Sequence, residues 1–190
     1  LAPAGVKIIE WGSRISFAYF TKKGYTKEAL KGLAEDVCVN DQQACSAPQV
    51  VYFEADNKEE LISFAESFMQ ILQEVSDTYP LHPMSQAEHA ELTTQKQLCY
   101  LDEIMGKGKL IDGKGCRIFV RFDEELCASP LFRTIIVKPI KRNNLISILR
   151  PFRSYLQSVG LACGKEEIAQ LSNLLYAGGA RRITEPGLMM

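Results

Sequence analysis

Gln49-Val50-Val51-Tyr52-Phe53-Glu54, followed by Asn57-Lys58-Glu59-Glu60-Leu61-Ile62, decides the fold. The first six residues are β-branched and aromatic enough to read as a strand. Asn57 can cap a helix, with Glu60 in the capping-box position three residues on. Leu61, Ile62, Phe64, Ala65, Phe68, Met69, Leu72 and Val75 then give an amphipathic stripe that ends at Tyr79-Pro80. The same unit recurs on either side. Val6–Ile9 and Ile15–Phe20 read as strands, and Thr26 caps a helix carrying Ala29, Leu30, Leu33, Ala34 and Val37. Downstream, Ser85 with Glu88 opens a helix towards Met105, and Gly106, Gly108, Gly113 and Gly115 mark a turn-rich connection. Strands are expected at 117–122 and 133–137. A short helix capped by Asn143 or Asn144 must stop before Pro151. A strand at 154–160, a helix from Lys165 through Leu175 closed by Gly178-Gly179, and a last strand at 181–184 complete the pattern. Strands alternating with helices predict an α/β fold with a mainly parallel sheet.

With 190 residues the chain suits one domain, residues 1–190. It is 46% hydrophobic and 24% charged, in the range of an ordinary globular protein. A net charge of −1 gives no electrostatic case for nucleic acid or a membrane surface. No apolar run approaches the roughly 20 residues that span a bilayer. The chain opens on Leu1 and ends at Met190; we read it as a piece of a longer protein.

Six cysteines are present, Cys38, Cys45, Cys99, Cys116, Cys127 and Cys163, with no C-x-x-C spacing. That argues against a zinc site and for reduced thiols in a cytoplasm, most of them buried as small hydrophobes. Cys45 is the exception. It lies in Asp41-Gln42-Gln43-Ala44-Cys45-Ser46-Ala47-Pro48, a polar loop between a helix and a strand, where a thiol is exposed enough to act as a nucleophile. The alternative is a loop thiol with no role. Glu10, in Glu10-Trp11-Gly12-Ser13-Arg14, is a carboxylate at a strand end, and Gly12 permits close approach to a ligand. His82 and His89 are the two histidines that could serve as a base for a thiol hydrolase or acyltransferase. A non-enzymatic interaction domain is the third reading.

These segments resemble the aldehyde dehydrogenase superfamily. Residues 10–16 look like its Glu-Leu-Gly-Gly-Lys-Ser strand, Gln43-Ala44-Cys45 like its Gln-x-Cys nucleophile loop, and Glu124-Glu125-Leu126 with Ser129-Pro130 like its Glu-Glu-Ile-Phe-Gly-Pro segment. The closer likeness is to the fatty acyl-CoA reductases of the bioluminescence LuxC type. It is carried by Asp36-Val37-Cys38, by Gln42 to Gln49, by Ser129-Pro130-Leu131-Phe132-Arg133, and by Leu149 to Gly160. The departures from the dehydrogenase pattern are Ser13, Arg14, Gln42, one extra residue before Pro130, and Cys127. They suit a branch that reduces thioesters.

The resemblance implies a three-layer catalytic domain whose preceding Rossmann-like coenzyme domain is not in these residues; no G-x-G-x-x-G occurs here. It implies NADPH-dependent reduction of a long-chain acyl-CoA or acyl-protein to a fatty aldehyde through an acyl-Cys45 thioester. Glu10 would hold the family's general-base position, and Glu125 the position that contacts the nicotinamide ribose, with Gly12 beside the cofactor. One oxyanion donor would be the Cys45 N–H and another an Asn of the missing domain. Partners implied are an acyl-protein synthetase or transferase and, for the full-length protein, a homo-oligomer. Such a domain alone should keep its nucleophile, lose most turnover, and show an apolar face around Cys45, Glu10 and Glu125.

Overall fold

The computed structural model describes residues 14–190. The expected strand at 6–9, Glu10 and Gly12 lie outside the described residues. Seven strands form one sheet in the order β3-β4-β5-β2-β1-β6-β7. They are β1 Ile15–Phe20, β2 Pro48–Phe53, β3 Gly108–Asp112, β4 Arg117–Arg121, β5 Thr134–Pro139, β6 Leu156–Ala162 and β7 Arg182–Thr184. Every pairing is parallel except β3 with β4. The helices are α1 Lys27–Cys38, α2 Lys58–Ser76, α3 Gln86–Ile104, α4 Leu145–Leu149 and α5 Ile168–Gly178.

Alternation along the strands sorts side chains into two cores. Ala18, Phe20, Val51, Phe53, Ile118, Val120, Ile135 and Val137 face α1 and α2, and Phe64 of α2 stacks on Phe53 with ring centroids 4.3 Å apart. Phe17, Tyr19, Val50, Tyr52, Phe119 and Ile136 face the other way, against α4 and α5. Because β1 and β2 are covered on both faces, their sequences read as nearly continuous apolar runs. The result is the predicted three-layer α/β domain.

Three of the expected caps form; the cap expected from Asn143 or Asn144 does not, since α4 has no side-chain cap and the Asn144 amide donates to Glu124 instead. Thr26 accepts from Ala29 N–H, Asn57 accepts from Glu60 N–H at 2.8 Å, and Ser85 with Glu88 makes a reciprocal capping box. Several boundaries differ from the sequence reading: the helix expected from Lys165 begins at Ile168, after a 3₁₀ turn at Lys165–Glu167, and β5 runs Thr134–Pro139 rather than 133–137. The connection predicted from Gly106 to Gly115 contains β3: Gly108 is a strand residue, placed where an added Cβ would lie 2.4 Å from the Val120 carbonyl oxygen. Its glycine marks close strand approach rather than a turn. Helix α2 stops at Ser76, before Tyr79-Pro80, where the Thr78 hydroxyl donates to the Val75 carbonyl. Strand β6 starts at Leu156, because Arg150–Phe152 is a 3₁₀ turn and Tyr155 N–H closes back onto Phe152. Among the described residues no helix is long and apolar enough to cross a membrane.

Candidate active site

The parallel strands begin along one edge of the sheet, and the Cys45 loop enters β2 at that edge. Register places Ser16 beside Pro48 and Ile15 beside Leu156. Both ladders slip at this point, between Ser16 and Phe17 towards β2 and between Ile15 and Phe17 towards β6. A bulge re-aims backbone groups, and the buried Ser16 side chain satisfies them. Its hydroxyl donates to the Cys45 carbonyl at 2.8 Å and accepts from Ser158 N–H at 3.0 Å. Cys45 itself is exposed. The Gln157 side-chain amide donates to its Sγ at 3.2 Å. Among the described residues the Cys45 N–H has no hydrogen-bond acceptor. The Ser46 hydroxyl reaches Met190 Sδ at 3.5 Å.

The base of this loop is held rigidly. Asp41 and Gln42 are buried and take left-handed φ of 48° and 63°. The Gln42 amide donates to the carbonyls of Pro48 (2.9 Å) and Thr134 (3.1 Å) and accepts from Thr134 N–H at 2.7 Å. One side chain thus joins the starts of β2 and β5. The Asp41 carboxylate accepts from Arg133 Nε and, at 2.8 and 2.7 Å, from His82 N–H and Nδ1. Burial pushes the Asp41 carboxyl up, but the hydrogen bonds from His82 and Arg133 outweigh it and hold it below the usual Asp range. Arg133 is fully buried and spends its remaining donors on Ser76 O and Oγ, Tyr79 O and Pro80 O. Leu131, Phe132 and Arg133 all take positive φ, and Phe132 N–H donates to the Asp41 carbonyl at 2.9 Å.

The core thiols are of a different kind. Cys38, Cys99 and Cys116 are buried. Burial pushes Cys38 up to about 12 and Cys99 up to about 11, and raises Cys116 and Cys163 as well. His82, a possible base in the sequence, turns Nδ1 to Asp41; His89 is exposed on α3. Glu125 is exposed on the segment joining β4 to β5. Its neighbour Glu124 is committed, accepting from Lys141 N–H and the Asn144 amide, each at 2.7 Å. These partners follow β5, so Glu124 sits towards the opposite edge of the sheet from Cys45, and Glu125 begins the return across the sheet, with Leu126 beside it buried. The segment then runs back to the Cys45 edge, where Ser129 N–H donates to Gln49 Oε1 at 3.2 Å. The structure therefore brings Cys45 to Gln157 and Ser16, and does not bring Glu125 into contact with them. Exposed apolar side chains near Cys45 are Tyr155 and Met190; a larger run, Leu98, Tyr100, Leu101, Ile104 and Met105, lies on α3.

Gln157, Ser16, Asp41 and Arg133 were not singled out as functional side chains in the sequence. The available signal was polarity out of place: a serine inside Ile15–Phe20, a glutamine inside Leu156–Ala162, and an arginine opening the apolar run of β5.

The layered sheet with its cysteine loop ahead of β2 is the aldehyde dehydrogenase fold. A salicylaldehyde dehydrogenase from Pseudomonas putida G7 superposes with a TM-score of 0.68 at 12% identity, over 94% of this chain and 39% of that one. An indole-3-acetaldehyde dehydrogenase from P. syringae gives 0.64 at 11%, over 93% and 38%. The chain belongs to the acyl-CoA reductase (LuxC) family, whose model matches residues 1–190. Curated relatives include long-chain acyl-protein thioester reductase 2 of Photobacterium leiognathi, 25% identical over 98% of this chain, and the long-chain acyl-protein thioester reductase of Aliivibrio fischeri, 26% identical over 98%. The chain spans 38% of the length of each.

Proposed function

We propose that this chain is the acyl-accepting part of a fatty acyl reductase, with Cys45 as the nucleophile that takes a long-chain acyl group from a thioester. The observation that carries the reading is the exposed Cys45 Sγ held by an uncharged donor, on a loop whose base is locked, in a chain of the LuxC family. The thiolate attacks the acyl carbonyl carbon; a C–S bond forms and the π pair moves to oxygen. Re-formation of the carbonyl expels the donor thiolate, CoA or the thiol of an acyl-protein, and leaves an acyl-Cys45 thioester. A thiolate suits this step because it is both a strong nucleophile and a good leaving group. The Cys45 N–H, without a partner among the described residues, is a ready donor for the oxyanion.

NADPH, when bound, would supply the hydride needed to take such a thioester to the aldehyde. Of the described residues, Glu125 has the chemistry to hold its ribose hydroxyls, since its carboxylate is exposed while that of Glu124 is already engaged. Gly12 is proposed to contact the cofactor as well. Glu10 is proposed to manage the thiol proton. The pyrophosphate site is assigned to a coenzyme domain outside these residues, and the acyl donor to an acyl-CoA or an acyl-protein delivered by a synthetase or transferase. An exposed working thiol also suits a reducing compartment such as the cytoplasm. The tie between His82 and Asp41 weighs against a Cys–His hydrolase.

The test is the intact mass of the full-length protein after incubation with palmitoyl-CoA, comparing wild type with Cys45→Ala. The expected result is a hydroxylamine-sensitive acyl adduct on wild type and its complete loss in the variant. An adduct that persists in Cys45→Ala, or none on wild type, refutes the reading.

A further inference from the structure

We propose that Gln157 is a catalytic residue of the acyl-transfer step, the side chain that holds the Cys45 sulfur for attack and then turns to the oxygen that forms beside it. This rests on the acyl-Cys45 reading above and adds to it a group on a different strand. Three observations carry it. First, among the described residues the Gln157 amide is the side-chain donor on Sγ, at 3.2 Å. Second, its position is built. Gln157 lies on β6 between the buried Leu156 and Ser158, and its carbonyl accepts from Arg181 N–H at 3.0 Å. The Ser16 hydroxyl that accepts from Ser158 N–H also donates to the Cys45 carbonyl. One buried side chain therefore sets the main chain of donor and nucleophile relative to each other. Third, the chemistry of an amide fits the task. It carries two N–H donors, enough to serve a sulfur anion and the oxygen that takes up its charge as the C–S bond forms. It also has no basic site with which to activate water, so it does not promote hydrolysis of the thioester it helped to form. A carboxylate or imidazole in this place would.

The experiment uses the full-length protein with Gln157→Ala, Gln157→Asn and Gln157→Glu, each checked for an unchanged melting temperature. Two rates are measured across pH: alkylation of Cys45 by iodoacetamide, with Cys45→Ala giving the background, and acylation by palmitoyl-CoA. In Gln157→Ala, alkylation near neutral pH should fall about 2–10-fold. Acylation should fall further, by up to about 100-fold. Gln157→Glu should lower both rates more than alanine, because a carboxylate repels the thiolate, and Gln157→Asn should recover part of the loss. Wild-type acylation with an unchanged rate and pH profile in Gln157→Ala overturns the role of Gln157 and leaves acyl-Cys45 standing. No adduct on wild type overturns the acyl-enzyme reading and the role of Gln157 in it together.

Discussion

The two edges of the sheet place their charges differently: where the strands begin, the Asp41–Arg133 pair is buried behind the Cys45 loop and the donor on the sulfur is a neutral amide. Where the parallel strands end, charges interlock: Arg142 donates to both oxygens of Glu54 at 2.8 and 2.9 Å and to Glu167 at 2.6 Å, Tyr19 donates to Glu54 at 2.5 Å, and Lys138 pairs with Asp123. Where they begin, among the described residues, an amide donates to the Cys45 sulfur, a hydroxyl to the Cys45 carbonyl, and the hydroxyl of the next residue reaches a thioether. Open α/β sheets usually bind ligands at the carboxyl ends of their strands. Here that edge is bridged by its own ion pairs, and the exposed Cys45 thiol stands at the other one. Neutral donors can orient a thiol without fixing its proton, whereas a charged cluster there would commit it.

The largest contrast to test is among the thiols. With its value near 12, Cys38 carries at most about one thiolate in 10⁴ at pH 8. Peptide mapping after limited iodoacetamide treatment at that pH should find Cys45 modified and Cys38, Cys99 and Cys116 intact. Equal labelling of all four would erase the distinction between the exposed thiol and the core ones. Next is the buried anchor behind the loop. Asp41→Ala strands Arg133 without its carboxylate and should cost about 3–5 kcal/mol in denaturant unfolding. A loss under 1 kcal/mol would mean that the loop base is not the rigid element described here.

Smaller effects are expected at the charged edge. Arg142→Ala should cost about 1–3 kcal/mol and leave acylation of Cys45 unchanged; a large loss of acylation would join the two edges functionally. The hydrogen bond from Arg142 holds the Glu167 carboxyl below its usual range despite partial burial. A lowered folded value adds stability above the ordinary Glu range, and that stability drains away as pH falls through the lowered value. Wild type should therefore lose stability on the acid side, and Arg142→Ala should show a shallower slope there in melts run from pH 6 to pH 3.

Much of the architecture was legible because the strands carry their burial in their composition. Phe17 to Phe20 and Val50 to Phe53 announce a two-sided core, and Thr26, Asn57 and Ser85 announce their helices by chemistry local to the chain. Strand β3 was not legible, because Gly108 looks like a turn until its neighbour Val120 is placed against it. The exposed thiol was legible as a cysteine in a polar loop. Its cradle was not: Gln157 is 112 residues from Cys45, and Arg133 is 92 from Asp41. No local pattern links residues that meet only through strand order.

That separation also sets a timetable. Asp41 and Gln42 reach their partners Arg133 and Thr134 only when β5 exists, 92 residues later. At about 5–20 residues per second on the ribosome, the loop base waits roughly 5–20 s for the side chains that shape it, and Cys45 waits longer still for Gln157. The nascent chain thus carries its exposed Cys45 thiol without the side chains that surround it in the fold until β6 has emerged.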